Sequence, residues 1–222
     1  MKKENFGKII KIDSEKGYGF VRSDADNKDY YFKTYALGEG LVLFDNVVFL
    51  INNNGDNAQA TAIRKYFINK HGIKFFPRVD NSHIHIKLNN YFPLIVNHID
   101  SIEVDFRTEV YQFEKVIGKT DCVKTNNSDD IVYAIRKGRH GYSRFVHNRL
   151  PEETNSIKTV LKKSENGYLI ITLFYGGDAG PEPYDERANE KDIQFWHGHA
   201  LLYKKDDIIE STETTDCPWV LN

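Results

Sequence analysis

Aromatic residues alternate with glycine and other small or apolar residues in Lys16-Gly17-Tyr18-Gly19-Phe20-Val21, and a second aromatic-rich segment, Asp29-Tyr30-Tyr31-Phe32, follows closely. Successive side chains on a strand point to opposite sides, so Tyr18 and Phe20 share a face, and Tyr31 joins them if the two segments pair. Gly17 and Gly19 are expected to leave the surface between the rings open. After Ala60-Thr61-Ala62-Ile63-Arg64 this pattern stops, which places a boundary near residue 66. Residues 82–88 alternate Ile84, Ile86 and Leu88 with His83, His85 and Lys87, as a half-buried strand does. From Tyr91 to Ile117 the apolar spacing fits strand and helix equally. Strands are expected over Ile131–Ile135, Ser156–Leu161 and Gly167–Tyr175, with a hairpin turn at Glu165-Asn166-Gly167. Gly176 to Asp185 reads as a long irregular loop, Phe195 to Tyr203 as a structured apolar run, and Asp206 to Asn222 as an acidic tail that frays.

A length of 222 residues favours two domains, and 13% aromatic with 28% charged residues describes a folded chain. The formal net charge of -2 excludes a uniformly basic coat, yet a locally basic site remains compatible with 30 Lys+Arg against 32 Asp+Glu. The two cysteines, Cys122 and Cys217, lie far apart and outside any metal-ligand spacing, so no disulfide framework is expected and a reducing cytoplasm is the simplest home. The start, Met1-Lys2-Lys3-Glu4-Asn5, shows no apolar signal region, and no stretch approaches the ~20 apolar residues of a membrane span. Neither secretion nor membrane insertion is expected.

Flat rings with a cationic margin suit a single-strand binder, because bases stack on the rings and cations follow the phosphates. Lys11, Lys16, Arg22 and Lys33 lie close enough in sequence to supply that margin. The run Gly7-Lys8-Ile9-Ile10-Lys11-Ile12-Asp13-Ser14-Glu15-Lys16-Gly17-Tyr18-Gly19-Phe20-Val21 resembles the opening of a cold-shock domain, and Asp29-Tyr30-Tyr31-Phe32 resembles that family's second RNA-binding motif. The resemblance implies a five-stranded OB barrel ending near Arg64, with Tyr18 and Phe20 as stacking positions and Tyr31 as the aromatic of the second motif. Lys11 stands where the family usually has tryptophan, and Lys33-Thr34 where it has histidine and an aromatic. That exchange implies weaker stacking and a larger electrostatic share.

Farther along, Arg136, Arg139, His140, Arg144 and His147 crowd one short, glycine-containing segment, and Trp196-His197-Gly198-His199 forms a second group. Arginine forks bind phosphate in two-point fashion and histidine transfers protons near neutrality. Metal-free RNA cleavage needs a base, an acid and cations for the developing charge. His199 is the expected proton-transfer residue because it lies in a structured run, Arg136 and Arg144 the expected phosphate holders, and Thr172 and Tyr175 the hydroxyls near the end of a central strand. In strand order this C-terminal part is similar to compact ribonuclease toxins of the barnase and RelE type, or to an uncharacterised bacterial domain. His83 with His85, and His197 with His199, each form an i, i+2 pair, but no Asp or Glu stands at a telling offset, so no metal is expected. Gly176-Gly177 lacks the Gly-Lys-Ser/Thr ending of a phosphate loop, so no nucleotide cofactor is expected.

The expected fold is a β barrel (OB-fold, cold-shock-like) over residues 1–66, a connecting segment over 67–118, and an α+β domain with an antiparallel sheet over 119–222. The expected function is binding of single-stranded RNA or DNA by a cytoplasmic, bacterial protein, with a metal-independent endoribonuclease in the C-terminal domain and no cofactor. The alternative is a non-catalytic RNA chaperone or regulator whose C-terminal domain binds RNA or a protein partner.

Overall fold

The computed structural model describes residues 3–54, 57–79, 88–177 and 179–219, so the strand expected over 82–88, with the His83–His85 pair, falls outside the described residues except for Leu88. The chain divides into two units, Met1–Glu109 with Thr159–Leu173, and Val110–Lys158 with Phe174–Asn222.

In the first unit, β1 (Glu4–Asp13), β2 (Tyr18–Ser23), β3 (Asp29–Lys33), β4 (Asn46–Asn54) and β5 (Asn57–Lys65) close a barrel in the order β1-β2-β3-β5-β4. This closed five-stranded barrel is consistent with an OB fold and agrees with the sequence reading. Its neighbours are antiparallel except for β3 and β5, which meet in parallel at Tyr31 and Gln59. Alternation sends Ile9, Val21, Phe32, Val47, Phe49 and Ile63 into the core, where all are 1% exposed or less. Strict alternation would send Lys11 inward with Ile9. A β-bulge between Ile9 and Lys11 shifts the register instead, so Ile9 stays in the core while Lys11 turns outward opposite Phe20.

Buried Arg64 fastens the end of β5. Its guanidinium donates to the Pro77 carbonyl at 2.7 Å, to Ala62 O at 3.1 Å and to Glu4 Oε1 at 3.0 Å. Beyond it, β6 (Phe67–Ile68) and β7 (Lys74–Pro77) lead to helix α1 (Leu88–Val96). The helix buries Phe92, Ile95 and Val96 on one stripe, and Phe92 meets Phe75 at 5.9 Å. Asn69 Nδ2 donates to the carbonyl of Val96, the last residue of the helix, and to that of Ile99 just beyond it, which ties the helix end to the β6–β7 turn. The ambiguous stretch thus resolves into this helix and then β8 (Phe106–Gln112), the edge of a five-stranded sheet.

In the second unit, β9 (Gly118–Thr120) pairs with β13 (Glu152–Thr154), while β10 (Cys122–Lys124), β11 (Ile131–Ile135), β12 (Tyr142–Val146) and β16 (His199–Leu202) form a sheet of order β10-β16-β12-β11. The long strands β14 (Ser156–Ser164) and β15 (Gly167–Tyr175), most of whose residues belong to the first unit, form the expected hairpin and belong to the five-stranded sheet β6-β7-β15-β14-β8. Helix α2 (Glu190–Gly198) begins with a capping box, Asn189 accepting from the Lys191 and Asp192 backbone and Asp192 accepting from that of Asn189.

Two expectations are corrected here. The sheet is mixed, because β12 and β16 run parallel at Phe145–Leu201 and Val146–Leu202; β13, β14, β15 and α2 intervene, which gives the chain length a parallel return requires. The acidic tail is bound along β11: Tyr133 and Thr214 exchange two backbone hydrogen bonds, Ile209 N donates to Ile135 O, and Trp219 Nε1 donates to Tyr142 O at 3.2 Å. Those contacts occupy the open edge of β11, where an unpaired ladder would otherwise face solvent.

Candidate nucleic-acid interface

Three aromatic rings meet on the outer face of the barrel. Register pairs Phe20 with Tyr31 and Tyr18 with Lys33, so β2 and β3 hold all of these side chains on one side. Tyr18, Phe20 and Tyr31 form a triangle with each centroid pair 5.9 Å apart. The Tyr18 and Tyr31 planes lie within 20° of each other, whereas Phe20 stands nearly perpendicular to both. Each ring is half-buried, which leaves surface for a base. The expected common face is therefore present.

The expected cations divide into two kinds. Lys11 Nζ donates to the Tyr18 hydroxyl at 3.1 Å and sits 5.1 Å from the ring centroid, and that bond raises the lysine pKa. Lys16, in the β1–β2 turn, and Lys33, beside Tyr18, are exposed, and among the described residues no carboxylate pairs with either. Arg22 differs: its Nε and Nη2 grip the two oxygens of Asp29 at 2.7 and 3.0 Å. The same contact lowers the Asp29 pKa. Arg22 thus already has a neighbouring carboxylate as partner, in an exposed pair.

The glycines also act differently from expectation. Gly19 faces the core, where a Cβ would overlap the Phe32 ring and the Lys11 carbonyl oxygen; Gly17 takes φ +70 in the turn. Neither serves to open the outer surface.

Sequence reasoning missed two features. Tyr35, in the short 3-10 turn after β3, is 83% exposed, and the neighbouring Thr34 N–H extends the ladder by donating to Gly17 O at 3.0 Å. A shallow groove of about 600 Å³ continues past Phe20 and Tyr31 onto Lys28, Asp29, Ala58 and Gln59. Only the parallel β3–β5 closure brings Gln59 there, and no local pattern announces it.

The residues expected to cleave RNA are more scattered. His199 lines a groove of about 200 Å³ in the second unit, together with Lys124, Glu152, Thr154 and Phe195. Its Nδ1 lies 2.9 Å from the Phe195 carbonyl and its ring stacks on Phe195 at 3.9 Å, so the other ring nitrogen, Nε2, is the one left for a ligand. Arg136 and Arg144 do not converge there. Arg136 bonds Ser143 Oγ and pairs with Glu182, whereas Arg144 donates to Thr125 Oγ1 at 2.8 Å and His199 O at 3.0 Å. Adjacent residues on β12 point to opposite sides, so the Ser143-bound guanidinium and that of Arg144 lie on opposite faces of the sheet. One phosphate cannot be held by both.

Thr172 lies in the first unit, its carbonyl accepting from Thr159 Oγ1, and Tyr175 packs its ring over Gly118; neither lines the His199 groove. His147 packs on Tyr203 and His197 on Trp219. His197 belongs to α2 while His199 opens β16, which rules out the simple strand pair weighed for zinc. Among the described residues, no group of three or more His, Cys, Asp or Glu side chains is placed to hold a metal ion. Among the same residues, no helix is long and apolar enough to cross a membrane.

No family model matches the chain, and no curated protein matches it. One solved structure, titled drosophila Unr CSD456, is similar to it with 12% identity and a TM-score of 0.26, over 79% of this chain and 63% of that one. The chain thus spans less than two thirds of that structure's length, and so loose a likeness carries no argument. None of these matches supports the resemblance of the C-terminal part to ribonuclease toxins.

Proposed function

We propose that the protein binds single-stranded nucleic acid, RNA above all, on the outer face of β1, β2 and β3. The observation that carries this reading is the Tyr18–Phe20–Tyr31 triangle with Lys11, Lys16 and Lys33 around it. Bases stack on aromatic faces irrespective of sequence, and lysines along the margin neutralise phosphates, so the face suits a flexible strand better than a duplex. Titration of a labelled single-stranded oligonucleotide, with the matching duplex as competitor, tests it. Preference for the duplex would refute the stacking platform.

Cleavage of the bound RNA is the second reading, and one observation favours it: His199 presents an unengaged ring nitrogen in a groove that Lys124 also lines. With Arg136 and Arg144 on opposite faces, Lys124 is the one cation among the described lining residues, and Glu152 and Glu153 beside it disfavour a bound phosphate, so cleavage is the weaker of the two readings. Cleavage of labelled RNA in EDTA by the parent, and its loss in His199→Ala, would support a metal-independent endoribonuclease. Intact RNA leaves the non-catalytic chaperone or regulator, with the second unit binding RNA or a protein partner.

A further inference from the structure

The groove in the second unit contains donors and acceptors whose directions are set by bonds already made. A carbonyl oxygen only accepts, so the contact from His199 Nδ1 to Phe195 O places the hydrogen on Nδ1 and leaves Nε2 an acceptor in the neutral ring. Stacking on Phe195, with planes 4° apart, fixes where that acceptor stands. Thr120 Oγ1 accepts from Cys122 N and Thr154 Oγ1 accepts from Ser156 N. Each hydroxyl hydrogen therefore remains to be donated, and among the described residues neither has an acceptor. Glu152 is held through Oε1 by Arg149 at 2.9 Å, which leaves its second oxygen as another positioned acceptor.

The charges argue against a phosphate in the groove itself, because Lys124 is outnumbered there by Glu152 and Glu153. Cys122, also in the lining, is half-buried, and its thiol stays neutral, since burial pushes it up to about 12. A neutral ligand with several hydroxyls fits this inventory, and Phe174 and Phe195 add apolar lining for a ring. At about 200 Å³ the space suits one small molecule, not a strand.

We propose that this groove binds a single ribonucleoside unit, with His199 Nε2 and Glu152 accepting from the ribose hydroxyls, Thr120 and Thr154 donating to ribose or base, and the base against the phenylalanines. The site goes beyond the barrel platform and does not depend on it. Sources of the ligand are a free nucleoside or the terminal residue of an RNA carrying an unmodified ribose. Losing the 2′-hydroxyl would leave positioned acceptors unpaired, so the deoxy compound should bind at least about tenfold more weakly.

The test is NMR titration of the full-length protein with adenosine, guanosine, uridine and cytidine at millimolar concentration, each beside its 2′-deoxy counterpart. It is read on ring nitrogens of 15N-histidine and on threonine methyl groups. Expected are shifts at His199, Thr120 and Thr154 for at least one ribonucleoside, weakened about tenfold or more by deoxygenation and by Thr154→Val. The same shifts should persist in a Tyr18→Ala/Phe20→Ala protein, which separates this site from the barrel. A short RNA with a free 3′-terminal ribose, compared with the same RNA bearing a 3′-phosphate, distinguishes the two sources. Equal affinity for ribo and deoxy forms, shifts confined to the barrel, or no shift with any of the four would overturn the proposal, whether or not the barrel binds strands.

Discussion

Removing the central ring of the triangle, Phe20→Ala, should weaken single-strand binding more than its own stacking surface alone suggests. A base stacked on an aromatic side chain is worth roughly 1–3 kcal/mol by alanine substitution, or about 5- to 150-fold in Kd. Phe20 also stands edge-on to both Tyr18 and Tyr31 at 5.9 Å, and such ring pairs contribute roughly 0.5–1.5 kcal/mol by holding their partners. The expected loss is therefore in the upper half of that range, about 30- to 150-fold. Because the rings touch, Tyr18→Ala combined with Phe20→Ala should lose less than the sum of the single losses. Fluorescence anisotropy with a labelled oligonucleotide at low salt measures this, with Leu150→Ala, at an 83% exposed position in the second unit, as control. Phe20 points out of the barrel, so circular dichroism melting should show the fold retained. Parent-like affinity in the folded Phe20 variant would refute the stacking argument.

Other consequences are equally direct. Lys33→Ala should reduce the slope of log K against log salt by about one, since one phosphate contact is lost; an unchanged slope would mean Lys33 touches no phosphate. Glu4→Gln should cost about 3 kcal/mol in urea unfolding, because Arg64, only 5% exposed, keeps its charge and loses its carboxylate; a loss under about 0.5 kcal/mol would show that the carbonyl partners suffice. The Cys122 thiol lies at about 12 in the folded chain against an ordinary 9.0, so its contribution is complete below pH 9 and is lost as pH rises toward 12. The native state then holds one more proton than the unfolded state, and stability should fall by at most about 1.4 kcal/mol per pH unit in that window. Cys122→Ser should flatten that decline in denaturation series at pH 9 and above, and an identical slope in both proteins would contradict the assignment.

The barrel was legible because its information is local. Alternation at Tyr18 and Phe20, and a neighbouring segment placing Tyr31 in register, suffice to put three rings on one face. The bulge after Ile9 was not legible, since alternation alone sends Lys11 inward; it took the register with Phe20 to show the lysine beside Tyr18. Arg22 illustrates a different limit: Asp24, Asp26 and Asp29 all follow it closely in sequence, and only the pairing of β2 with β3 shows that Asp29 is the one directly opposite. In the second unit, Arg136 and Arg144 lie close in sequence yet on opposite faces, because the hairpin of β11 and β12 intervenes and a one-residue offset reverses direction. The tail composition suggested fraying, whereas Thr214 and Trp219 find partners on β11 and β12 that no local pattern could reveal. The groove around His199 draws on β9, β10 and β13, each three residues long and too short to show a period.

Photocrosslinking tests the central claim most directly. A single-stranded RNA containing 4-thiouridine, irradiated with the full-length protein and digested for mass spectrometry, reports which side chains the bases touch. Binding on the triangle predicts adducts at Tyr18, Phe20 or Tyr31, lost on competition with unlabelled single strand. Saturable crosslinks found only elsewhere, with none on β2 or β3, would contradict it.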